Sequence, residues 1–408
     1  MPIRDVPLWF DRFPKSRRPS YLRYKGESQT DVVIVGGGLT GSACAWSFVN
    51  AGIRTVLLEA EMVGGSGTAQ SIGLVREDFD ASFRDAAQIH GLRASRAMWQ
   101  TMRRAALDFA AAIRRLGIRC DLAPCDFLTI ARAGSETSRA FYREYQIRRD
   151  AGLEQSWVKP PAVRRETAIE NDGGIRTHGF SLDPYRAGVG FAAAAVARGA
   201  LLYERSPVRR IRAGRKGVQV STAAGTIEAN AVLVATSDPL PDLRALRRHI
   251  RVTDTYAVVT APLPASIRRE VGNRASVLTD TQTPPHMLRW LKDDRAVFAG
   301  ADQPVVGDRA RERALVQRSA QLMYELSVMH PPISGLAAEW AWSSRHYESV
   351  VDRLPFVGVH RNFPHHLFAM APARHGAAFA WLAARILLRH YQQEPAKADE
   401  LFGFARIL

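Results

Sequence analysis

The sequence predicts a mixed α/β fold, in which a βαβ unit near the N-terminus is interleaved with an antiparallel sheet. Three observations support this prediction. The apolar, β-branched run Val32–Val35 is followed by a glycine-rich turn, a helical stretch and a second apolar strand at Thr55–Leu58. Further strand-like segments fill residues 200–235 and 251–300, without repeats or linkers between them. With 408 residues, 46% of them hydrophobic, the chain can form two domains around a sizeable core.

The other elements follow from periodicity and from helix-start signals. Apolar residues recur with a helical period over 85–118, and Asp183-Pro184 is a typical helix start. The wholly apolar run Ala231–Ala235 is expected to join the central sheet. In chain order we expect a helix over 85–118, a strand over 127–130, helices over 135–151 and 184–197, several strands between 200 and 300, a helix over 309–329, a turn over 352–358, a strand over 367–370 and a helix over 377–391.

Two interleaved domains are predicted. Residues 31–100, 180–250 and 345–408 form the domain that contains the βαβ unit, and residues 101–179 and 251–344 form the second domain. Residues 1–30 are rich in proline, arginine and aromatic side chains, so we expect an extended arm that lies over the domains.

The turn after the first strand carries the strongest functional signal. Gly36, Gly38 and Gly41 fit the pattern G-x-G-x-x-G, and Glu59 follows at the end of the second strand. The glycines permit a tight turn and the close approach of a pyrophosphate, while the helix N-terminus offers N–H groups to phosphate oxygens. A carboxylate in the position of Glu59 accepts hydrogen bonds from an adenosine ribose. The sequence therefore predicts a Rossmann-type dinucleotide-binding domain.

The formal net charge of +16 by itself would suggest a nucleic-acid partner. The arginines, however, are scattered in short pairs such as Arg17-Arg18 and Arg247-Arg248, and aromatic residues are not interleaved with them. We therefore expect no nucleic-acid binding. An arginine-rich genome, or a positive field that attracts anionic substrates, accounts for the charge.

Targeting and cysteine patterns point to the cytoplasm. The first twenty residues lack the apolar segment of a secretory signal, and the apolar stretch 377–388 is too short for a membrane span. The three cysteines, Cys44, Cys120 and Cys125, are odd in number and form no C-x-x-C pair. We expect neither disulfides nor a metal site in such a chain.

The glycine-rich segment continues into a pattern that is typical of one enzyme family. Residues 59–73, EAEMVGGSGTAQSIG, align without a gap with the family pattern EAExxGxGxSxRNGG. Further matches are Asp183-Pro184, Gly199-Ala200, Val208, Ala235-Thr236-Ser237, residues 352–358 and residues 371–376. On these motifs the chain resembles the D-amino-acid oxidase superfamily of FAD-dependent oxidoreductases, in the branch of glycine, sarcosine and γ-glutamylputrescine oxidases.

The resemblance implies bound FAD, held non-covalently because no cysteine follows the last loop at a position suited to a flavin link. The pyrophosphate is expected at the glycine turn, the ribose at Glu59, the adenine at Val208 and the isoalloxazine along Gly73-Leu74, with its pyrimidine edge near residues 374–377. The residues implied in cofactor binding are Gly36, Gly38, Leu39, Thr40, Gly41, Glu59, Ala60, Gly67, Thr68, Ser71, Gly73, Leu74, Val208, Ala235, Thr236, Gly358, Arg374, His375, Gly376 and Ala377.

Several departures from the family pattern fall beside the flavin ring. Gln70-Ser71 replaces the usual Arg-Asn pair, Ile72 replaces a glycine, and Ala371–Arg374 replaces most of the glycines of the last loop. These departures bear on the substrate and not on the binding of FAD.

The resemblance further implies oxidation of the C–N bond of a small amine or amino acid. A hydride passes to flavin N5, the resulting imine hydrolyses, and oxygen or another acceptor reoxidises the flavin. The candidate catalytic residues are Arg289, Arg374 and His375. Arg289 could hold a substrate carboxylate bidentately, or it is a surface arginine. His375 could hydrogen-bond the flavin, or it bonds only to backbone at a helix start.

Two other functions stay open on the sequence alone. One is the oxidation of the C–O bond of a 2-hydroxy acid. Trapping an imine product would distinguish amine oxidation from this reaction. The other is a non-catalytic flavoprotein subunit of a hetero-oligomeric dehydrogenase. This function would be favoured if no amine reduced the bound flavin. Either a homo- or a hetero-oligomer is compatible with the sequence.

Overall fold

The computed structural model describes residues 3–134, 137–374 and 376–407. The strands are β1 (Arg4–Asp5), β2 (Gly26–Val35), β3 (Thr55–Leu58), β4 (Leu74–Arg76), β5 (Ala123–Arg132), β6 (Ser156–Val158), β7 (Asn171–Ser181), β8 (Leu201–Tyr203), β9 (Arg210–Ala213), β10 (Val218–Ser221), β11 (Gly225–Ser237), β12 (Ile250–Thr260), β13 (Val277–Asp280), β14 (Met287–Trp290), β15 (Ala296–Pro304), β16 (Ala338–Ser349), β17 (Phe356–His360) and β18 (Phe363–Met370). The helices are α1 (Leu8–Arg12), α2 (Leu39–Asn50), α3 (Gly67–Gln70), α4 (Phe83–His90), α5 (Leu92–Arg115), α6 (Thr137–Asp150), α7 (Pro160–Thr167), α8 (Pro184–Ala197), α9 (Ala265–Glu270), α10 (Arg311–Met329) and α11 (Gly376–Tyr391).

The first sheet has the strand order β17-β18-β11-β2-β3-β8, with β10 paired to the early part of β11 and β9 paired to β10. β2 pairs in parallel with β3 and β11, so that Val33 lies opposite Val56 and Val232. Helices α2, α8 and α11 pack on one face, and side chains that include Tyr24 and Phe356 pack on the other. Because both faces are covered, the central strands are apolar throughout, as the sequence predicted.

The second sheet has the order β1-β16-β12-β15-β14-β13-β5-β7-β4, with β6 paired to β7. Its strands are antiparallel except for the pairs β1–β16 and β13–β5. The outer face packs on α10 through Val258, Leu288 and Phe298. The inner face presents Ala257 and Trp342 to α3 and α8. Since α3 and α8 belong to segments that flank the first sheet, the inner face closes against them and leaves one cavity between the sheets.

The predicted mixed α/β fold is confirmed, although several of its elements differ from the expectation. The helix expected over 85–118 is two helices, α4 and α5, because Gly91 takes a φ of +80° between them. Strand β7 was not predicted, and β17 begins inside the expected turn 352–358. How the chain divides into domains stays a prediction.

The N-terminal arm is more structured than the sequence suggested. Strand β1 adds a parallel edge to β16, and Leu8 and Trp9 of α1 are buried in the core of the inner face. The rings of Phe10 and Phe13 meet Tyr185 edge-on, each at 5.2 Å between centroids. Residues 4–13 are therefore part of the packed structure.

Within the described ranges, no helix combines the length and the apolar character needed to cross a membrane.

Candidate functional site

A cavity of about 740 Å³ lies where β2, β3 and β11 end, between the two sheets. Its walls come from the glycine turn, the residues after β3, the loop 66–73, and parts of β12, β14, β15 and β16. The carboxyl ends of parallel strands are the usual binding position in open α/β sheets. Because the lining runs from the first sheet to the second, an elongated group can contact both.

The glycine turn is shaped by two very close backbone contacts. Gly36 has a φ of +106°, and a Cβ there would lie 2.8 Å from the carbonyl oxygen of Ala235. A Cβ at Gly41 would lie only 1.9 Å from the carbonyl oxygen of Gly36. Gly41 therefore lets α2 pack against the turn, and it does not itself line the cavity.

Helix α2 presents its N-terminus to the cavity. Its N-cap residue is Gly38, which has no side chain to accept hydrogen bonds from the first N–H groups. Thr68 Oγ1 accepts from the N–H of Leu39 at 2.8 Å, and Thr40 also lines the cavity. The first turn of the helix and the positive end of its dipole suit phosphate groups.

Glu59 closes the other side of the turn. Its Oε2 accepts from the N–H of Gly37 at 2.6 Å, and its Oε1 accepts from the N–H of Glu61 at 2.9 Å. Burial raises the pKa of Glu59, although these backbone hydrogen bonds act in the opposite direction. A carboxylate that is fixed in this way on the cavity wall can accept hydrogen bonds from ribose hydroxyls.

The loop 66–73 separates the glycine turn from the second sheet. Ser71 Oγ accepts from the N–H of Gly73 at 3.1 Å. Gly73 has a φ of +76°, and a Cβ there would lie 2.2 Å from the carbonyl oxygen of Leu182. Position 73 thus requires glycine, whereas Ile72, which stands where the family has a glycine, lines the cavity.

Arg289 lies behind this loop and not in the cavity wall. Its Nη1 donates to the carbonyl oxygens of Ile72 at 2.6 Å, Gly73 at 3.1 Å and Leu182 at 2.9 Å. Burial lowers the pKa of Arg289 to about 10. A guanidinium engaged in this way is not placed to hold a substrate carboxylate in the cavity. The role expected from the sequence therefore does not fit this position.

Arg374, just before α11, does line the cavity. Its Nη2 forms an ion pair with Asp302, and its Nε lies 4.0 Å from Asp80. Asp80 also pairs with the buried Arg76 at 3.1 Å, so Arg374 is one end of a buried ion network. This network fixes the position of the guanidinium. His375, the adjacent candidate, lies outside the described residues.

The second sheet supplies a wall for which the sequence contains no motif. Ala257, Met287 and Ala299 give it apolar surface, and Thr255 and Ser344 add hydroxyl groups. The alternation of side chains along β12, which puts residues 255 and 257 on the same face, could have indicated part of this wall. The arrangement offers a small organic molecule an apolar surface with polar groups at its edge.

Most residues that were expected to bind the cofactor meet in this cavity. They are Gly36, Gly38, Leu39, Thr40, Glu59, Ala60, Gly67, Thr68, Ser71, Gly73, Val208, Ala235, Thr236, Arg374, Gly376 and Ala377. Three others, Gly41, Leu74 and Gly358, do not line it, and their roles in FAD binding stay predictions. Leu74 is buried in β4 against Phe127 and Met287, and Gly358 lies in β17 close to His390.

These features fit a cofactor of the FAD type. The turn at Gly36 and Gly41 excludes any side chain, Gly38 places no capping side chain at the helix N-terminus, and Glu59 is fixed beside them. The cavity then continues past the loop 66–73 to the second sheet. A phosphate-linked nucleotide at the turn would therefore carry its other end to the wall around Met287.

Comparison with known proteins gives a consistent assignment. The family model described as DAO, FAD dependent oxidoreductase, matches residues 31–389. The chain is 24% identical over 373 residues to the gamma-glutamylputrescine oxidoreductase of Escherichia coli, an alignment that covers 90% of this chain and 85% of that protein. It is 22% identical over 365 residues to the probable oxidoreductase OrdL of Haemophilus influenzae, covering 88% and 81%.

The fold also resembles that of solved structures. Glycine oxidase from Geobacillus kaustophilus superposes with a TM-score of 0.71 at 20% sequence identity, and the match covers 90% of this chain and 96% of the other. At that identity the likeness concerns the fold alone. The family match reaches further, because it spans the glycine turn, the loop 66–73 and Arg374.

Proposed function

This chain belongs to the DAO family of FAD-dependent oxidoreductases, and we propose that it oxidises a carbon–nitrogen bond of a small amine or amino acid. FAD, its cofactor, takes up the two electrons that leave the substrate. The observation that carries the proposal is the continuity of the cavity from the glycine turn to the wall around Met287. Similarity to an oxidoreductase named for gamma-glutamylputrescine supports an amine as the substrate.

The wall of the second sheet is proposed to position the substrate. Ala257, Met287 and Ala299 present apolar surface that displaces water from the carbon to be oxidised. Thr255 and Ser344 add hydroxyl groups that can orient a polar substrate. Orientation and exclusion of water are the contributions that a protein makes when its cofactor carries the electrons.

Arg374 is the proposed binding group for negative charge. Its guanidinium lines the cavity, and the ion pair with Asp302 holds it in place. A planar guanidinium can bind a carboxylate with two parallel hydrogen bonds. Since Arg289 donates to backbone carbonyls behind the loop, Arg374 takes the carboxylate-binding role in this proposal. His375 stays a candidate on sequence grounds.

An anaerobic titration of the purified holoenzyme tests the proposed reaction. Amines, amino acids and 2-hydroxy acids are added in turn while the flavin absorbance is followed, and the products are assayed for ammonia. Loss of the flavin band with an amine or amino acid, together with ammonia, supports the proposal. Loss with 2-hydroxy acids only would favour C–O oxidation. A flavin that no compound bleaches would favour a non-catalytic subunit.

The cellular location and the electron acceptor belong to the same proposal. Cys44, Cys120 and Cys125 are all free, and burial raises the pKa of Cys120 to about 12. We propose a cytoplasmic enzyme that passes its electrons to oxygen or to another acceptor. Cell fractionation and a comparison of aerobic with anaerobic turnover are the corresponding tests.

A further inference from the structure

Two tryptophans hold the loop 66–73 from the side away from the cavity. Trp342 Nε1 donates to the carbonyl oxygen of Gln70 at 2.8 Å, and Trp9 Nε1 donates to the carbonyl oxygen of Ser71 at 2.8 Å. Gln70 and Ser71 line the cavity, whereas neither tryptophan does. The two indoles belong to one apolar cluster, although one comes from the N-terminal arm and the other from β16.

Arg289 continues this row of donors. Its Nη1 bonds the next two carbonyl oxygens along the loop, those of Ile72 and Gly73. The face of the Trp9 ring lies 4.9 Å from its Cζ, within the range of a cation–π contact. Four consecutive carbonyl groups, from residue 70 to residue 73, are thus each held by a buried side-chain donor.

Packing alone does not require this arrangement. The partners of Arg289 at hydrogen-bond distance are backbone carbonyls and not a carboxylate, and its Nε has no hydrogen-bond partner. Burying a guanidinium in such surroundings costs free energy that a methionine or leucine of similar volume would avoid. The contacts instead fix the orientation of the peptide groups that border the cavity.

We propose that Trp9, Arg289 and Trp342, here called the loop clamp, are positioning residues of the FAD site. The C=O and N–H groups of a trans peptide point in opposite directions. The N–H groups of Ser71 and Gly73 bond within the loop, to the carbonyl oxygen of Thr68 and to Ser71 Oγ. The N–H that the clamp turns toward the cavity is therefore that of Ile72, in the peptide whose carbonyl Trp9 holds. That N–H and the charge of Arg289 then favour negative charge on the flavin as it is reduced. The proposal rests on the bound FAD and not on the proposed substrate.

The clamp also gives the N-terminal arm a function. Trp9 precedes residue 31, where the family match begins, so the arm adds to the site something that the family pattern does not contain. Asp11 of the same arm accepts from Trp340 Nε1 at 2.9 Å, which anchors the arm to β16 without contacting the loop. The arm thus has one indole bond to the loop and one to the second sheet, and the two can be removed separately.

Matched substitutions of tryptophan by phenylalanine test the clamp. In the holoenzyme, Trp9→Phe and Trp342→Phe each remove one indole N–H bond to the loop, whereas Trp340→Phe removes the bond to Asp11. We expect the Kd for FAD, measured from flavin fluorescence on dilution, to rise about tenfold in the first two variants and less than about twofold in the third. The visible flavin band should shift only in the first two. Equal changes in all three variants, or no change in any, would overturn the proposal.

Hydrogen exchange provides a readout that does not depend on cofactor affinity. In the holoenzyme, the peptide that covers residues 66–76 should exchange faster in Trp9→Phe than in Trp340→Phe. Unchanged exchange of this peptide in Trp9→Phe would contradict the clamp even if stability falls. Because neither experiment uses a substrate, the clamp and the proposed C–N oxidation can fail independently.

The charge of Arg289 is tested by two further substitutions. Arg289→Lys keeps a positive charge behind the loop, and Arg289→Met removes it while filling a similar volume. The two-electron reduction potential of the bound flavin should stay near that of the parent in Arg289→Lys and fall in Arg289→Met. The same potential in both variants would contradict the electrostatic part of the proposal.

Discussion

The end of the cavity at the glycine turn is built from one contiguous stretch of chain, whereas the end at the loop 66–73 depends on side chains from distant segments. At the turn, Gly36, Gly41 and Glu59 lie within 24 residues of one another and act through backbone contacts. At the loop, the donors come from α1, β14 and β16, and the nearby Arg374 is held by Asp302 of β15. We call these the nucleotide end and the flavin end.

Both ends are expected to contribute to the affinity for FAD, but only the flavin end is expected to tune the reactivity of the flavin. The close backbone contacts at the nucleotide end do not permit substitution of its glycines, because any side chain at Gly41 overlaps the turn. At the flavin end, cavity-lining side chains such as Ile72 and Met287 come from different segments, so their exchange can adapt this end to a substrate. The departures from the family pattern at residues 70–72 and 371–374 fall at that adaptable end. Substitutions at the two ends should therefore have different signatures.

The largest expected effect is at the nucleotide end, for Gly41→Ala. The new Cβ would lie 1.9 Å from the Gly36 carbonyl oxygen, so α2 or the turn has to move. We expect the free energy of unfolding to fall by about 3 kcal/mol and the purified protein to lose most of its FAD. Thermal unfolding and the ratio of flavin to protein measure both. Gly307→Ala, where a Cβ meets nothing within 4 Å, is the control and should behave like the parent.

At the flavin end, Arg374→Met should mainly affect substrates that carry a carboxylate. Losing a bidentate, charge-assisted contact should raise KM for an amino acid about a hundredfold, corresponding to ~3 kcal/mol. An amine without a carboxylate serves as the control within the same variant, and its KM should change less than about threefold. Steady-state kinetics with both substrates provides the measurement. If KM rises equally for both, Arg374 does not bind the carboxylate.

Glu59→Gln sharpens the comparison, because it should weaken the binding of FAD without altering the chemistry of the flavin. A neutral amide can accept only one of the two backbone hydrogen bonds, from Gly37 and Glu61, that the carboxylate accepts. We expect the Kd for FAD to rise about tenfold, ~1.4 kcal/mol, with an unchanged flavin spectrum at saturation. The control is Glu228→Gln, which neutralises an exposed carboxylate in the same way. A shifted spectrum in Glu59→Gln would argue against the separation of the two ends.

The last expected effect is a pH dependence of stability at Asp183, which caps α8 by accepting from the Arg186 N–H at 3.0 Å. Burial raises the pKa of Asp183 from 3.8 to about 6. The folded state therefore binds this proton more tightly than the unfolded state, so the stability it contributes is full below about pH 4 and is lost as the pH rises through 6.

The variant Asp183→Asn should remove this dependence, since asparagine is an equally good N-cap. It should match the parent at pH 4 and exceed it by up to about 3 kcal/mol at pH 8, the free-energy equivalent of raising the pKa from 3.8 to about 6. Urea unfolding at both pH values measures the difference. A parent that is the more stable protein at pH 8 would contradict this account.

The sequence revealed the nucleotide end almost completely, because its signals are local. The turn, the strands on both sides and Glu59 lie in one segment, and their order and spacing are typical of a dinucleotide site. Strand β7 was missed for the opposite reason. Its sequence, NDGGIRTHGFS, has no apolar alternation, and Gly173 is needed because a Cβ there would lie 2.3 Å from the ring of Trp157. When the glycines of a strand are required by contact with a side chain elsewhere in the chain, the sequence of the strand resembles that of a loop.

Arg289 illustrates what a sequence cannot show about the flavin end. Its position on a strand near the cavity suggested a carboxylate as its partner, but its partners are carbonyl groups of Ile72, Gly73 and Leu182, more than 100 residues away. Backbone acceptors carry no residue-type signature. The contribution of Trp9 was hidden for the same reason, since it bonds a carbonyl 62 residues along the chain.

The separation of the two ends is tested most directly by the reduction potential of the bound flavin, measured at saturating FAD in the parent, Glu59→Gln and Trp9→Phe. We predict that the potential of Glu59→Gln equals that of the parent within measurement error. That of Trp9→Phe should be lower, because the loosened N–H of Ile72 stabilises the reduced flavin less. A potential that shifts in Glu59→Gln, or one that stays constant in Trp9→Phe, would contradict the account.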